Sequence, residues 1–303
     1  MIELFLGMLK NHDVKYAEYY ATSRISSFKT GGEAKVFILP DDENKLITTV
    51  RWAKKLNINC IVVGNSTNIL YSDKGFDGAV ICTKRINRVS LNGDIITCDA
   101  GALLSKVCHI CMNKSIGGFE RLFGIPGTVG GGVVSNAGAF GFEIGELTQS
   151  IKVYDKLSEQ IITLDRSDCK FGYRDSIFKQ NKGRYIILSV NLKGYVSDKH
   201  NIVQQMQSYV GKRRSSQPSL PSLGSSFKRP LDDFASRLID KAGLKGYSIG
   251  GAAISPVHAG FIVNTGNARS EDYQALIELC TDVVKERFSV DLEPEIVILS
   301  ENG

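Results

Sequence analysis

Two stretches of this chain have the residue types and spacing to do chemistry. VVGNSTNIL (62–70) sets a polar turn directly after an apolar run, and GIPGTVGGGVVSNAGAFG (124–141) is crowded with glycine. Glycine weakens helix and strand interiors, so a run this dense implies that backbone comes very close to something. For one isolated cluster, backbone packed on backbone explains it as well as a ligand does. The second loop shifts that balance, because successive N–H groups in small-residue turns cradle anions. Two such loops suit a pyrophosphate gripped from two sides, and the Asn136, Ala137, Gly138 turn lets backbone approach a flat ring.

The familiar nucleotide fingerprints are missing. No G-K-[ST] triplet follows either glycine run, and neither offers a clean G-x-G-x-x-G between a strand and a helix. The chemistry they leave is a dinucleotide held without a Rossmann fold. Cys108 and Cys111 flank His109 at C-x-x-C spacing, but no second pair follows. They fall in a helical stretch with an apolar face and read as buried structural thiols, with no metal site.

The elements that must position these loops alternate along the chain. Strands are expected at 35–40, 58–64, 78–83, 94–101, 150–155, 160–165, 184–195, 260–264 and 293–300, and helices at 44–57, 102–114, 199–214, 231–242 and 270–288. MIELFLGMLKNHDVKY lacks a basic region before its apolar start and reads as a helix of the mature protein rather than a signal peptide. SSQPSLPSLGSS (215–226) reads as a linker or an ordered site loop. The class is α+β.

The 303 residues allow two or three domains, and a net charge of +5 from 37 basic and 32 acidic residues fits an acidic small molecule better than nucleic acid. No tract is long and apolar enough for membrane insertion. Seven scattered cysteines argue for reduced thiols in a cytoplasm.

VVGNSTNIL, GIPGTVGGGVVSNAGAFG, FGYRDSIF, GSSFKRP, HAGFIVNTGNA and LEPEI, in this order, resemble the UDP-N-acetylenolpyruvoylglucosamine reductase family. The resemblance runs from Phe28 to Glu295. It implies non-covalent FAD in a vanillyl-alcohol-oxidase (PCMH-type) fold of two α+β subdomains, followed by a C-terminal α+β substrate-binding domain. The implied division is 1–84 (joined by the C-terminal strand about 289–303), 85–198 and 199–288. Gly64, Asn65, Ser66, Thr67 and Asn68 would form one phosphate-contacting segment. Gly124, Pro126, Gly127, Thr128, Gly131 and Gly132 would form the other, with Asn136, Ala137 and Gly138 beside the flavin.

The implied reaction has two half-reactions at one site, in peptidoglycan precursor synthesis. NADPH gives hydride to the flavin, and hydride then passes to C3 of the enolpyruvyl group of UDP-N-acetylglucosamine enolpyruvate, giving UDP-N-acetylmuramate. Attack at C3 builds negative charge at C2, which a fixed cation stabilises and an acid must quench. By the resemblance, Arg174 is the catalytic arginine, Ser225 the proton donor and Glu295 the catalytic glutamate, with Glu293 on the same strand face. Lys228 and Arg229 would hold a phosphate of substrate or NADPH, and Tyr173 would pack at the flavin or the substrate.

Four positions depart from the family pattern: Ser66, Ser216, Arg229, and Gly132 where relatives often carry alanine. The short span from Arg174 to Ser225 matches the second subtype, which lacks a tyrosine-bearing substrate loop. Another flavoenzyme of this fold, such as a hydroxy-acid dehydrogenase, would not need the serine, arginine and glutamate set. A nucleotide-binding regulatory protein would be expected to have lost one of them.

Overall fold

The computed structural model describes residues 1–302. The chain divides into two compact units, each assembled from separate stretches. The first takes Met1–Ala17, Val36–Asn65 and Ala79–Lys212; the second takes Glu18–Lys35, Ser66–Gly78 and the chain from Arg213 onward. The architecture is the mixed α+β class expected.

In the first unit, helix Glu43–Lys55 starts where the Asp42 carboxylate accepts from the Lys45 N–H at 2.7 Å. It buries Leu46, Ile47, Val50 and Ala53, the stripe that a 3.6-residue repeat lays on one face. This stripe packs in one core with Phe5, Leu6 and Leu9 of helix Ile2–Asn11. Strand Cys60–Val63, which leads into the polar turn, runs parallel to residues 79–82, so the turn leaves a half-buried edge strand.

A second core belongs to a five-stranded antiparallel sheet of the same unit. Its order is Gln160–Asp165, Thr148–Asp155, Tyr185–Lys193, Ile95–Asp99, Val89–Asn92. Helix Leu104–Asn113 covers it with Val107, Cys108 and Cys111, and the short helix Val129–Val134 adds Val129 and Val133. Cys108 and Cys111 thus face the core, and burial pushes the Cys111 thiol up to about 12.

The second unit holds an antiparallel sheet of order Ser222–Ser225, Phe261–Asn264, Ala252–Ile254, Ser248–Ile249. Its core joins Leu223, Ile254 and Ile262 to Tyr273, Leu276, Ile277 and Cys280 of helix Ser270–Phe288. Ile69–Tyr71 pairs in parallel with Val297–Leu299.

The N-terminal region, the Ser- and Pro-rich stretch and the last strand differ from the sequence reading, and the helix expected at 231–242 spans only Ala235–Lys241. The N-terminal helix ends at Asn11, and Lys15–Ala21 is a strand. The Ser- and Pro-rich stretch is the ordered alternative: the preceding helix runs to Ser216, and Ser222–Ser225 is a sheet strand. The last strand is shorter, Val297–Leu299, because Pro294 lacks the N–H that a ladder needs and makes only an isolated bridge to Phe227. No helix among the described residues is long and apolar enough to cross a membrane.

Candidate functional site

In the first unit the two small-residue loops meet. A methyl group on Gly64 would lie 2.1 Å from Thr128 Oγ1, so the Gly64 backbone meets the threonine side chain at a distance only glycine permits. Thr128 is buried and caps helix Val129–Val134 by accepting from the Gly131 N–H at 3.3 Å. The neighbouring N–H groups already have acceptors: Val129 donates to Ala102 O, Gly130 to Ala100 O and Gly132 to Thr128 O, each at 2.8 Å. This helix start is therefore a wall built against its own chain, with Gly131 and Pro126 facing solvent. Gly124 is exposed at φ 85°, and Gly127 turns at φ 153° while its carbonyl accepts from the Leu104 N–H.

The polar turn itself is the better anion donor. Ser66 has φ 50°, the left-handed conformation that turns successive N–H groups to one side, and no described residue accepts from the N–H groups of Asn65 or Ser66. Ser66 is buried, and its hydroxyl shares a 2.8 Å hydrogen bond with Tyr71 Oη. That bond holds the non-glycine residue in this conformation. The successive N–H groups of this turn fit an anion such as a pyrophosphate.

Asn136 is buried at φ 44° and uses its whole amide. Nδ2 donates to Glu143 Oε2 at 2.6 Å and to Gly172 O at 2.9 Å, while Oδ1 accepts from the Gly145 N–H at 3.0 Å. Ala137 and Gly138 follow, with Gly138–Ala139 folding back on Phe142–Glu143 in a tight hairpin. Any contact of this turn with a flat ring must come from backbone or from Ala137.

Tyr173 and Arg174 form the tip of a second tight hairpin, closed by mutual 3.1 Å bonds between Gly172 and Asp175. Arg174 takes φ 54°, rare for a residue with a long side chain. Lys179 Nζ donates to its carbonyl at 2.9 Å, and its guanidinium lies 5.7 Å from the centre of the exposed Tyr173 ring. Ser176, the next residue but one, donates to Val134 O at 2.7 Å and ties this hairpin to the glycine-rich helix.

In the second unit the structure brings the Ser225 and Glu295 segments together. Glu295 N–H donates to Ser226 O and Lys228 N–H to Glu293 O, each at 2.9 Å, around the Phe227/Pro294 bridge. Ser226 is fully buried and shares its hydroxyl between Tyr273 Oη at 2.9 Å and the Ile262 N–H at 3.2 Å. Ser225 is half-buried, and its hydroxyl bonds to no described residue. Asn68 Nδ2 donates to Glu295 O at 3.1 Å, so the end of the polar turn grips the glutamate's own backbone. Lys228 Nζ is ion-paired with Glu293, and the Arg229 guanidinium stacks 4.1 Å above Phe234.

Sequence reasoning passed over Glu143, the first acidic residue after the glycine run, and Thr128's part as a cap. A signal for Glu143 existed: it is an acid placed seven residues after Asn136, in a segment otherwise apolar or small.

Comparisons with known proteins agree with this geometry. Residues 34–163 match the FAD binding domain family, and residues 217–299 match the UDP-N-acetylenolpyruvoylglucosamine reductase C-terminal domain. The chain is 41% identical over 296 residues to the UDP-N-acetylenolpyruvoylglucosamine reductase of Caldicellulosiruptor bescii, covering 97% of this chain and 93% of that one. It is 40% identical over 301 residues to that of Streptococcus pneumoniae, covering 99% and 98%. The crystal structure of the Thermus caldophilus enzyme superposes with a TM-score of 0.79 at 29% identity, over 94% of this chain and 98% of that one. At 40 to 41% identity to these two relatives over nearly its whole length, the chain belongs to the UDP-N-acetylenolpyruvoylglucosamine reductase family.

Proposed function

We propose that this protein is an FAD-dependent reductase that uses NADPH to convert UDP-N-acetylglucosamine enolpyruvate into UDP-N-acetylmuramate, in the cytoplasm. The observation that carries the reading is the pairing of the Ser225 and Glu295 segments, with Asn68 of the polar turn holding Glu295. Bound FAD supplies the hydride.

The chain's own residues divide the remaining work. Asn65 and Ser66 offer N–H groups to the cofactor's pyrophosphate, and Gly64 and Thr128 hold that turn in place. Arg174 presents a guanidinium, the group best shaped to take a carboxylate's two oxygens and to stabilise charge spreading into it. Ser225 delivers a proton to C2 of the substrate, which a serine does only in a site that excludes water and holds cations. Glu295 works beside it. Lys228 and Arg229 belong to the substrate end of the second unit, where the Glu293 ion pair and the Phe234 ring hold their cations in place. All seven cysteines are free thiols, in keeping with a reducing compartment. The three-part division at about residues 84 and 198, with the C-terminal strand returning to the first part, belongs to the same proposal.

The test separates the half-reactions. Purified protein should carry FAD, anaerobic NADPH should bleach it, and UDP-N-acetylglucosamine enolpyruvate should restore its colour with formation of UDP-N-acetylmuramate. Bleached enzyme that ignores this substrate would sink the muramate assignment while leaving the flavoprotein standing.

A further inference from the structure

Glu295 is held at both of its peptide groups. Its N–H donates to Ser226 O at 2.9 Å, and its carbonyl accepts from Asn68 Nδ2 at 3.1 Å. A carbonyl can only accept, so the Asn68 amide faces it with its nitrogen. Each peptide unit is planar, which leaves φ and ψ of Glu295 as the only soft torsions between the two bonds. Holding both units therefore fixes the direction of the Cα–Cβ bond. Leu292 and Ile296 anchor the segment on either side in the core of the second unit, and Glu295 is left half-buried. The main chain of Asn68 makes a separate bond, its carbonyl accepting from the Val297 N–H at 2.9 Å, next to the parallel pairing of Ile69–Tyr71 with Val297–Leu299. The side chain thus reaches back two residues along the facing segment. Ser66 Oγ is tied to Tyr71 Oη of that same paired strand at 2.8 Å, so turn and strand are one piece.

We infer that Asn68 is the positioning residue of Glu295, registering the glutamate to the turn whose Ser66 N–H is offered to the cofactor's pyrophosphate. A group that works beside a reacting centre gains rate only where it is already in place. Ser226 alone would fix one side of Glu295 and leave its carbonyl side to swing. With the Asn68 bond added, what remains free is the side chain's own torsions. The last residue of GNSTN thereby has a purpose apart from contact with cofactor. This inference rests on the role proposed above for Glu295.

The variant that isolates the effect is Asn68→Ala, which removes the side-chain donor and keeps the main-chain carbonyl that accepts from Val297. In the holoenzyme the Glu295 amide should exchange its hydrogen about fivefold faster, the scale of one lost hydrogen bond beside it. The Val297 amide should keep its protection, which shows the strand still in place. FAD content should match that of the parent, and bleaching by NADPH should slow by less than about threefold. Reoxidation by UDP-N-acetylglucosamine enolpyruvate should slow by about 10- to 100-fold, the cost of a misplaced group. Binding of that substrate to the oxidised holoenzyme, followed by calorimetry, should weaken by less than about tenfold, so the loss falls on rate more than on affinity. Asn68→Gln, which keeps the amide on a longer arm, should fall between the two, and it carries the same comparison if Asn68→Ala does not fold. In a Glu295→Gln background, Asn68→Ala should add nothing. An equal loss in both backgrounds, a loss of FAD that accounts for the lost rate, or reoxidation at the parental rate overturns the inference. Should Glu295→Gln itself leave the second half-reaction at full rate, the role proposed for Glu295 fails first, and the inference falls with it.

Discussion

Gly64 and Thr128 stand so close that any side chain on Gly64 would meet the threonine hydroxyl at 2.1 Å. Thr128 cannot retreat without loss, because it is buried and its Oγ1 caps the helix through Gly131. We therefore expect Gly64→Ala to uncap that helix and cost about 1–2 kcal/mol in chemical denaturation, the value of a lost cap. It should also lower the FAD retained through gel filtration, because the turn it disturbs carries the N–H groups of Asn65 and Ser66. Full FAD retention at parental stability would show that the two loops do not act together.

Gly130 and Gly132 lie two residues apart in one short helix and should respond with opposite sign. A methyl group on Gly130 would meet Ala100 Cβ at 2.9 Å and Ala100 O at 3.0 Å, where the Gly130 N–H already bonds to that carbonyl. A methyl group on Gly132 would find Ile144 Cδ1 and Leu104 Cδ1 at 3.5 Å, ordinary contact distance. Gly130→Ala should destabilise by about 1–3 kcal/mol through overpacking. Gly132→Ala should stabilise by about 0.5–1 kcal/mol, because alanine is the better helix former and the space is already there. Thermal unfolding of the two variants side by side checks both, and destabilisation by Gly132→Ala would contradict the free space seen there.

The long, strongly periodic elements were legible in the sequence, and the reasons lie in particular residues. Helix Ser270–Phe288 and strand Gln160–Asp165 were read with their observed bounds because their periodicity is unbroken. The strand Lys15–Ala21 is not legible, its first two residues falling at the end of the expected N-terminal helix, because KYAEYYA has no clean alternation and its burial is settled by tertiary packing. The final strand was drawn too long because hydropathy does not register that Pro294 lacks a donor. In the site, the two loops were visible as composition. That the helix start at Thr128 directs most of its N–H groups into its own chain was not, because a donor's partner is a fact of three dimensions. The sequence singles out Ser225 only through the resemblance, and it carries no sign that Ser226 is the buried one of the pair while Ser225 is half-buried.

Asp155 and Arg184 make a testable pH device for stability. Arg184 Nε and Nη2 donate to the two carboxylate oxygens of buried Asp155 at 3.1 and 2.9 Å. These bonds hold the Asp155 carboxyl down to about 2 from its usual 3.8, and the Leu157 N–H assists. A carboxyl with a lowered folded-state pKa contributes stability that is present above its unfolded value and is lost as pH falls through the folded one. The contribution should thus be full above about pH 4 and fade toward pH 2. Asp155→Asn should cost about 2 kcal/mol at neutral pH, the scale of a lost charge-assisted hydrogen bond. The gap to the parent should narrow in denaturation curves taken between pH 4 and pH 2. A gap that stays constant across that window would remove Asp155 from the acid response.

The two serines of GSSF should separate stability from catalysis. Ser226 is fully buried between Tyr273 and the Ile262 N–H, and burial pushes the Tyr273 phenol up, so that ring stays neutral and needs a partner. Ser226→Ala should therefore cost about 1–3 kcal/mol, the penalty for stranding buried polar groups. Ser225 bonds to no described residue and is half-buried, so Ser225→Ala should change stability by less than about 0.5 kcal/mol. Its effect should fall on turnover, sparing bleaching by NADPH and slowing reoxidation by the enolpyruvyl substrate about 100-fold or more, at the upper part of the range for a lost general acid. The neighbouring acids should divide in the same way. Glu295→Gln should slow only that second half-reaction. Glu293→Gln, which merely releases Lys228 from an exposed ion pair, should change it by less than about tenfold. If Ser225→Ala instead slows both half-reactions equally, the serine does not deliver the proton, and the paired segments serve the fold alone.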